Sequence, residues 1–233
     1  MRRSKWLSAL VLIATAGSVA ADDLPENWDG LVQVKPKKMD AAYVMPGADF
    51  RPYMKVQLDK TEVAFKKDWL KSMNDTRSGL SHRVSDEDAA KILEAAQSNF
   101  TDIFVEAFTK AGYTVVTAPA SDVLRISTAV VNLYVNAPDV MEAGRSRTYT
   151  TEAGEATLII EVRDSMTNAL MGRVLDRRET SGGAGVQVAN SVTNLSDFRL
   201  LFKQWASITT KGLEELKEHS PVPVDLKPKQ KLD

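Results

Sequence analysis

Apolar positions recur along the chain at two spacings, three to four residues and two. The helical spacing is clearest from Ala89 onward: Ala89, Ile92, Leu93, Ala96, Phe100, Ile103, Phe104, Ala107, Phe108 and Ala111 fall on one stripe. Lys91, Glu94, Asp102, Glu106 and Lys110 take the other side. Ser85 is a good N-cap, Asp86, Glu87 and Asp88 suit the positive end of the helix dipole, and Gly112 suits the C-terminal cap. A helix over about 85–111 follows. A second stripe, Phe198, Leu201, Phe202, Trp205, Ile208 and Leu216, predicts a helix over about 196–218 capped by Ser196-Asp197. Gly212 interrupts it, where another backbone is expected to come close.

The two-residue spacing marks strands. Ala156, Leu158, Ile160 and Val162 alternate with Thr157, Ile159, Glu161 and Arg163, and Leu170 to Arg177 returns after the turn Asp164–Asn168. Residues 155–178 therefore read as a hairpin in which Glu161 faces Arg173. Leu124 to Val135, Tyr113 to Thr117, and the pairs Val56/Leu58 and Val63/Phe65 read as further strands. Phe65, Trp69 and Met73 fit a helical turn equally well, which leaves 60–73 open between the two. Met45-Pro46-Gly47-Ala48 is a turn, with Pro fixing φ and Gly free to take positive φ. Polar stretches at 139–153 and 179–195 read as loops.

The predicted fold class is α+β: a mainly antiparallel sheet with the helices 85–111 and 196–218 packed on one face. Residues 1–21 form a leader, 22–42 an irregular segment, 43–219 a single domain, and 220–233 a Pro/Lys-rich tail. Pro25, Gly30 and the Lys35-Pro36-Lys37-Lys38 cluster argue against regular structure in 22–42. Pro221, Pro223 and Pro228 argue for an extended tail.

The leader changes the picture most. Met1-Arg2-Arg3-Ser4-Lys5 is basic, Trp6 to Ala16 is uncharged and mostly apolar, and Gly17-Ser18-Val19-Ala20-Ala21 offers small residues for cleavage at Ala20 or Ala21. This is the pattern of a secretory signal peptide. The alternative, an uncut anchor helix, needs about 20 apolar residues. The expected location is the periplasm, because an exported chain of 233 residues with no cysteine suits a bacterial envelope. Removing Arg2, Arg3 and Lys5 leaves 27 basic against 31 acidic residues, a net charge of −4. That balance argues against a nucleic-acid partner.

Candidate chemistry is sparse. Without cysteine there is no disulfide, thiolate metal site or thiol nucleophile. Glu161 and Asp164 are carboxylates near a turn, but the hairpin register pairs Glu161 with Arg173, and Asp164 suits turn formation. His82 and His219, the two histidines, belong to no metal-ligand spacing, and His219 suits a helix C-terminus. Gly182-Gly183-Ala184-Gly185 lacks the Lys-Ser/Thr of a phosphate loop, and no Gly-X-Ser-X-Gly elbow occurs. No catalytic residue, metal or cofactor is assigned. The basic loop Gly144-Arg145-Ser146-Arg147-Thr148-Tyr149 and the tail lysines Lys227, Lys229 and Lys231 could meet an anionic partner such as a membrane surface, but a solvated loop and a disordered tail are the favoured readings.

Several segments in order resemble a bacterial envelope family, domain-of-unknown-function 3313. They are Tyr43-Val44-Met45-Pro46-Gly47-Ala48-Asp49-Phe50 with Tyr53, Val63-Ala64-Phe65 with Trp69, Ala111-Gly112-Tyr113, Val123-Leu124-Arg125, Glu161-Val162-Arg163-Asp164-Ser165, and Asp197 through Trp205-Ala206. The resemblance spans about 40–217. It implies a cell-envelope protein; many members look like lipoproteins, whereas this chain has no cysteine for a lipid and is expected to be soluble in the periplasm. The resemblance carries no catalytic residues. The expected function is a non-enzymatic accessory or binding protein of the envelope, its partner another envelope protein, with no small molecule identified. Two alternatives stand beside it: a hydrolase with an unrecognised site, and a module binding a lipid or peptidoglycan fragment in an apolar cavity between sheet and helices.

Overall fold

The computed structural model describes residues 24–75, 83–135, 148–150, 154–180, 187–189 and 191–232. The leader with Ala20 and Ala21, His82, Gly182–Gly185 and most of the Gly144–Tyr149 loop lie outside them. Helices α1 (Trp69–Asp75), α2 (Asp86–Lys110) and α3 (Ser191–Glu218) accompany eleven described strands. Nine strands form one sheet in the order β1 (Asn27–Trp28), β2 (Leu31–Val34), β3 (Ala41–Val44), β10 (Leu170–Glu179), β9 (Glu155–Asp164), β7 (Val123–Tyr134), β4 (Lys55–Leu58) and β6 (Thr114–Val115), with β5 (Glu62–Phe65) also on β7. The fold is α+β, and α2 and α3 cover one face of a mostly antiparallel sheet, as the sequence pattern predicts.

The central hairpin is the one expected. Strands β9 (Glu155–Asp164) and β10 (Leu170–Glu179) pair antiparallel with Arg173 opposite Glu161. Asn168, at φ 60°, occupies the left-handed position that closes the turn. Strand β7 (Val123–Tyr134) lies antiparallel on the other side of β9. At the start of α2 the Ser85 side chain accepts from Asp88 N–H and the Asp88 carboxylate accepts from Ser85 N–H. This reciprocal box satisfies two otherwise unpaired donors. At the other end Gly112 takes φ +92°.

The sheet departs from all-antiparallel at one edge. Strands β4 (Lys55–Leu58) and β5 (Glu62–Phe65) both run parallel to β7, and β6 (Thr114–Val115) runs parallel to β4. The reason is the intervening helix: α2 carries the chain back to the same end of the sheet, and a parallel pair needs such a crossover. From Leu58 to Glu62 the chain advances four residues while β7 advances three, from Ile126 to Ala129. Within that break Asp59 accepts hydrogen bonds from Arg125 Nε and Ser127 Oγ. The open stretch 60–73 resolves as strand β5 followed by α1, with Phe65 stacked on Trp69 at 3.8 Å between centroids.

Three expectations need correction. Residues 22–42 are not an irregular segment: β1 (Asn27–Trp28), β2 (Leu31–Val34) and the first residues of β3 (Ala41–Val44) extend the sheet beside β10. Asp29 and Gly30, at φ 53° and 83°, form the two-residue turn between β1 and β2. An Asp-Gly dipeptide is the preferred sequence for that turn, and it outweighs the flanking prolines. The loop regions also hold order. Strand β8 (Thr148–Thr150) pairs with β11 (Gln187–Ala189), and α3 begins at Ser191 rather than at a cap on Ser196. Finally, the tail over residues 220–232 is extended but docked. Val222 and Leu226 are buried, Val222 exchanges backbone bonds with Gly47 and Ala48, and Lys229 N–H donates to Gln33.

The main core lies between the sheet and the two helices. Phe100 meets Phe202 edge-on at 5.2 Å, and Phe202 continues to Trp205 at 6.0 Å. A smaller cluster of Leu31, Ala41, Tyr43 and Leu175 occupies the opposite face under Trp28.

Candidate ligand pocket

The apolar stripe of α3 changes character along its length, and that change creates a site. Its first half presents Phe198, Phe202 and Trp205, all buried. Its second half presents Ile208, Thr209, Gly212, Leu213 and Leu216. On the facing strands stand Ala42, Val44, Ile126, Ile160, Val162 and Val174. Small residues on both walls leave the layers unfilled, and a pocket of about 550 Å³ remains between them. Phe50 and Phe108 contribute to its lining. The size falls inside the roughly 300–1,000 Å³ of small-molecule sites.

Gly212 lines this space. No backbone approaches it, contrary to expectation: a Cβ placed there meets no atom within 4 Å. The missing side chain opens the pocket instead of admitting a neighbour. Replacing Gly212 by alanine is therefore expected to stabilise the fold by about 0.5–1 kcal/mol, through helix propensity alone. A rise in the urea midpoint with an unchanged slope checks this; a fall would mean that the pocket wall is tighter than described. Nearby, Thr209 Oγ1 is buried without a hydrogen-bond partner among the described residues, a polar atom in an apolar wall.

The rim has opposite chemistry. Five lysines, Lys35, Lys37, Lys38, Lys211 and Lys231, line the pocket, against one acid, Glu215. All five are exposed. Lys37 Nζ lies 3.2 Å from Glu215 Oε1 and so bridges the 35–39 segment to α3. The other four have no carboxylate partner among the described residues. Tail docking makes this rim: Lys35 N–H donates to the Gln230 carbonyl, which sets Lys231 and Leu232 beside the Lys35–Lys38 cluster. His219 also reaches the lining, one residue beyond the end of α3.

The carboxylates singled out in the sequence stand apart from this pocket. Glu161 is buried, and burial alone would raise its pKa. Hydrogen bonds from Arg163 and Arg173 outweigh that and hold it below the ordinary glutamate range. Asp164 accepts from Met166 N–H, Thr167 N–H and the Tyr53 hydroxyl, which likewise overcome desolvation and keep its pKa low. Both therefore act as acceptors that fix structure, and neither is tuned toward proton transfer at neutral pH. Asp176 is pushed the other way by burial, yet it is committed to Trp205 and Arg178. Among the described residues no group of three or more His, Asp or Glu side chains is arranged to hold a metal. None of the described helices is long and apolar enough to cross a membrane.

The pocket residues were not found from sequence. They are drawn from 34–44, 50, 108, 126, 160–174, 208–219 and 231–232, and no local motif links them. The signals that the sequence carries for it are Gly212 in the α3 stripe and the two lysine clusters, which lie far apart along the chain.

No curated protein matches the chain. Among solved structures, the PelC dodecamer from Paraburkholderia phytofirmans is 11% identical, with 72% of this chain and 96% of that chain covered and a TM-score of 0.34. A protein of family DUF330 from Xanthomonas campestris is 12% identical, with coverages of 79% and 92% and a TM-score of 0.40. A DUF4136 family protein from Bacteroides thetaiotaomicron is 12% identical, with coverages of 78% and 100% and a TM-score of 0.28. The family model that matches this chain covers residues 20–208, ending within α3, and the chain thus belongs to the family Protein of unknown function (DUF3313).

Proposed function

We propose that this chain is an exported binding protein of the bacterial cell envelope, acting by holding an apolar molecule rather than by catalysis. The carrying observation is the pocket of about 550 Å³ between the sheet and α3. Burial of apolar surface is the main favourable term in folding, so an unfilled space in the core costs stability unless a ligand completes it. The secretory leader and the absence of cysteine support an envelope setting. The pocket favours the lipid-binding alternative over a purely protein-protein role.

Two measurements test this reading. Fractionation of the native bacterium should recover the mature chain in the periplasm, beginning at Ala21 or Asp22 by N-terminal sequencing. Native mass spectrometry of that material should show a retained small molecule that organic solvent extracts. A cytoplasmic, uncut chain would overturn the envelope assignment. A bare chain that also takes up no apolar probe would overturn the binding assignment.

A further inference from the structure

We propose that the pocket takes one molecule of a long-chain fatty acid, with the acyl chain between the sheet and α3 and the carboxylate on the lysine rim. The inference rests on the binding reading above and adds the chemical class of the ligand. Two observations select the class. The interior is mainly hydrocarbon: Val44, Ile126, Ile160, Val162, Leu213 and Leu216 line the space, with Thr209 Oγ1 as a buried polar atom among them. The mouth is cationic, with Lys35, Lys38, Lys211 and Lys231 unpaired among the described residues and only Lys37 engaged, by Glu215. An apolar ligand without charge has no use for such a rim, and a cationic one is repelled by it. A ligand with an anionic head and a hydrocarbon body satisfies both parts.

Volume admits such a chain. A methylene takes up about as much room as a water molecule, roughly 30 Å³, and a space of about 550 Å³ has room for one chain of about 16–18 carbons. The rim lies at the protein surface. Lys231 and Leu232 belong to the docked tail, and Lys35 to Lys38 to the connection between β2 and β3, so the mouth lies between two surface segments.

The test is a titration of the mature chain with oleate below its micelle concentration, followed by calorimetry and native mass spectrometry. Neutral 1-monoolein and cationic oleylamine serve as head-group controls. Oleate is expected to bind at one per chain, about tenfold or more tighter than monoolein, and to weaken with added salt. Reversing the exposed rim (K35E, K38E, K211E and K231E together) should lower oleate affinity by about tenfold or more and leave monoolein affinity nearly unchanged. Gly212→Phe, which fills the space, should abolish binding of both. The rim variant carries the test even where Gly212→Phe folds poorly, since its four side chains are exposed.

Equal binding of oleate and monoolein, unmoved by rim reversal, would overturn the fatty-acid assignment and leave the pocket reading standing. Binding of neither would overturn both. Oleate binding that survives in a folded Gly212→Phe variant would place the ligand elsewhere and overturn the assignment as well.

Discussion

Replacing Arg173 by alanine is expected to destabilise the domain by about 3–5 kcal/mol, the usual cost of removing one partner from a buried ion pair. Arg173 is 3% exposed on β10. Its Nε and Nη2 donate to Glu161 Oε1 at 3.0 and 2.6 Å, and Nη2 also reaches Asp29 Oδ2 at 2.9 Å. The guanidinium lies 4.2 Å from the centre of the Trp28 ring. Arg173 therefore ties the β1–β2 turn to the central hairpin. Without it, Glu161 stays buried with Arg163 as its one remaining cation, and Trp28 loses its partner. A urea midpoint that falls with an unchanged slope is the expected readout. Replacing both Arg173 and Glu161 by methionine should recover much of the loss, because two apolar side chains leave no buried charge unmatched.

The pH dependence of that loss follows from Glu161. Its pKa in the fold lies below the ordinary value of 4.5, so it contributes stability above that value and loses the contribution as pH falls through the lowered folded pKa. In the Arg173→Ala variant, Glu161 takes up its proton at higher pH than in the parent. The gap between the two proteins should therefore narrow from pH 7 to below pH 4.5. A gap that stays constant across that range would show that Arg173 acts through packing alone.

Truncation of Trp205 has a comparable expected effect by a different route. Trp205 is fully buried on α3, and its Nε1–H donates to Asp176 Oδ2 at 2.6 Å. Asp176, 2% exposed, also accepts from the Arg178 side chain and from Asp40 N–H. Trp205→Ala removes a large ring from the core and is expected to cost about 3–5 kcal/mol. Trp205→Phe keeps most of the ring and removes the donor, and is expected to cost about 1–3 kcal/mol. The two variants together separate packing from hydrogen bonding.

Acid conditions distinguish them further. Burial raises the Asp176 pKa above its ordinary 3.8, so ionisation of this group opposes folding, and its contribution becomes more favourable as pH falls through the raised value. Loss of the indole donor pushes that pKa higher still. The Trp205→Phe penalty should therefore shrink on acidification, as Asp176 becomes neutral. The additional packing loss in Trp205→Ala should not. Thermal melts at neutral and mildly acidic pH check both; a Trp205→Phe penalty independent of pH would remove Asp176 from the account.

Much of this fold was legible because its signals are local. The α2 box needs only Ser85 and Asp88 three residues apart, and the hairpin register needs only alternation on either side of Asp164–Asn168. The parallel edge runs against the sequence expectation, which pairs sequential strands antiparallel; the strand–helix–strand order around α2 is a crossover that joins parallel strands instead. Asp29-Gly30 is a local hairpin signal set among prolines that point the other way. The family resemblance, carried by segments from Tyr43 to Ala206, agrees with the match over residues 20–208.

The pocket was of the other kind. By itself the sequence determined the helix stripes, the central hairpin, the Glu161–Arg173 pairing and the family, since each depends on neighbours a few residues apart or on an ordered pattern of segments. Tertiary structure alone decided that β3 pairs with β10, that the tail lies along β2, and that Gly212 faces open space rather than a backbone. Those three outcomes build the site and bring Lys35–Lys38 to Lys231, nearly two hundred residues away along the chain. A cavity is volume that no side chain fills. It is set by the sum of residues on facing layers, and no periodicity along one strand of sequence records that sum.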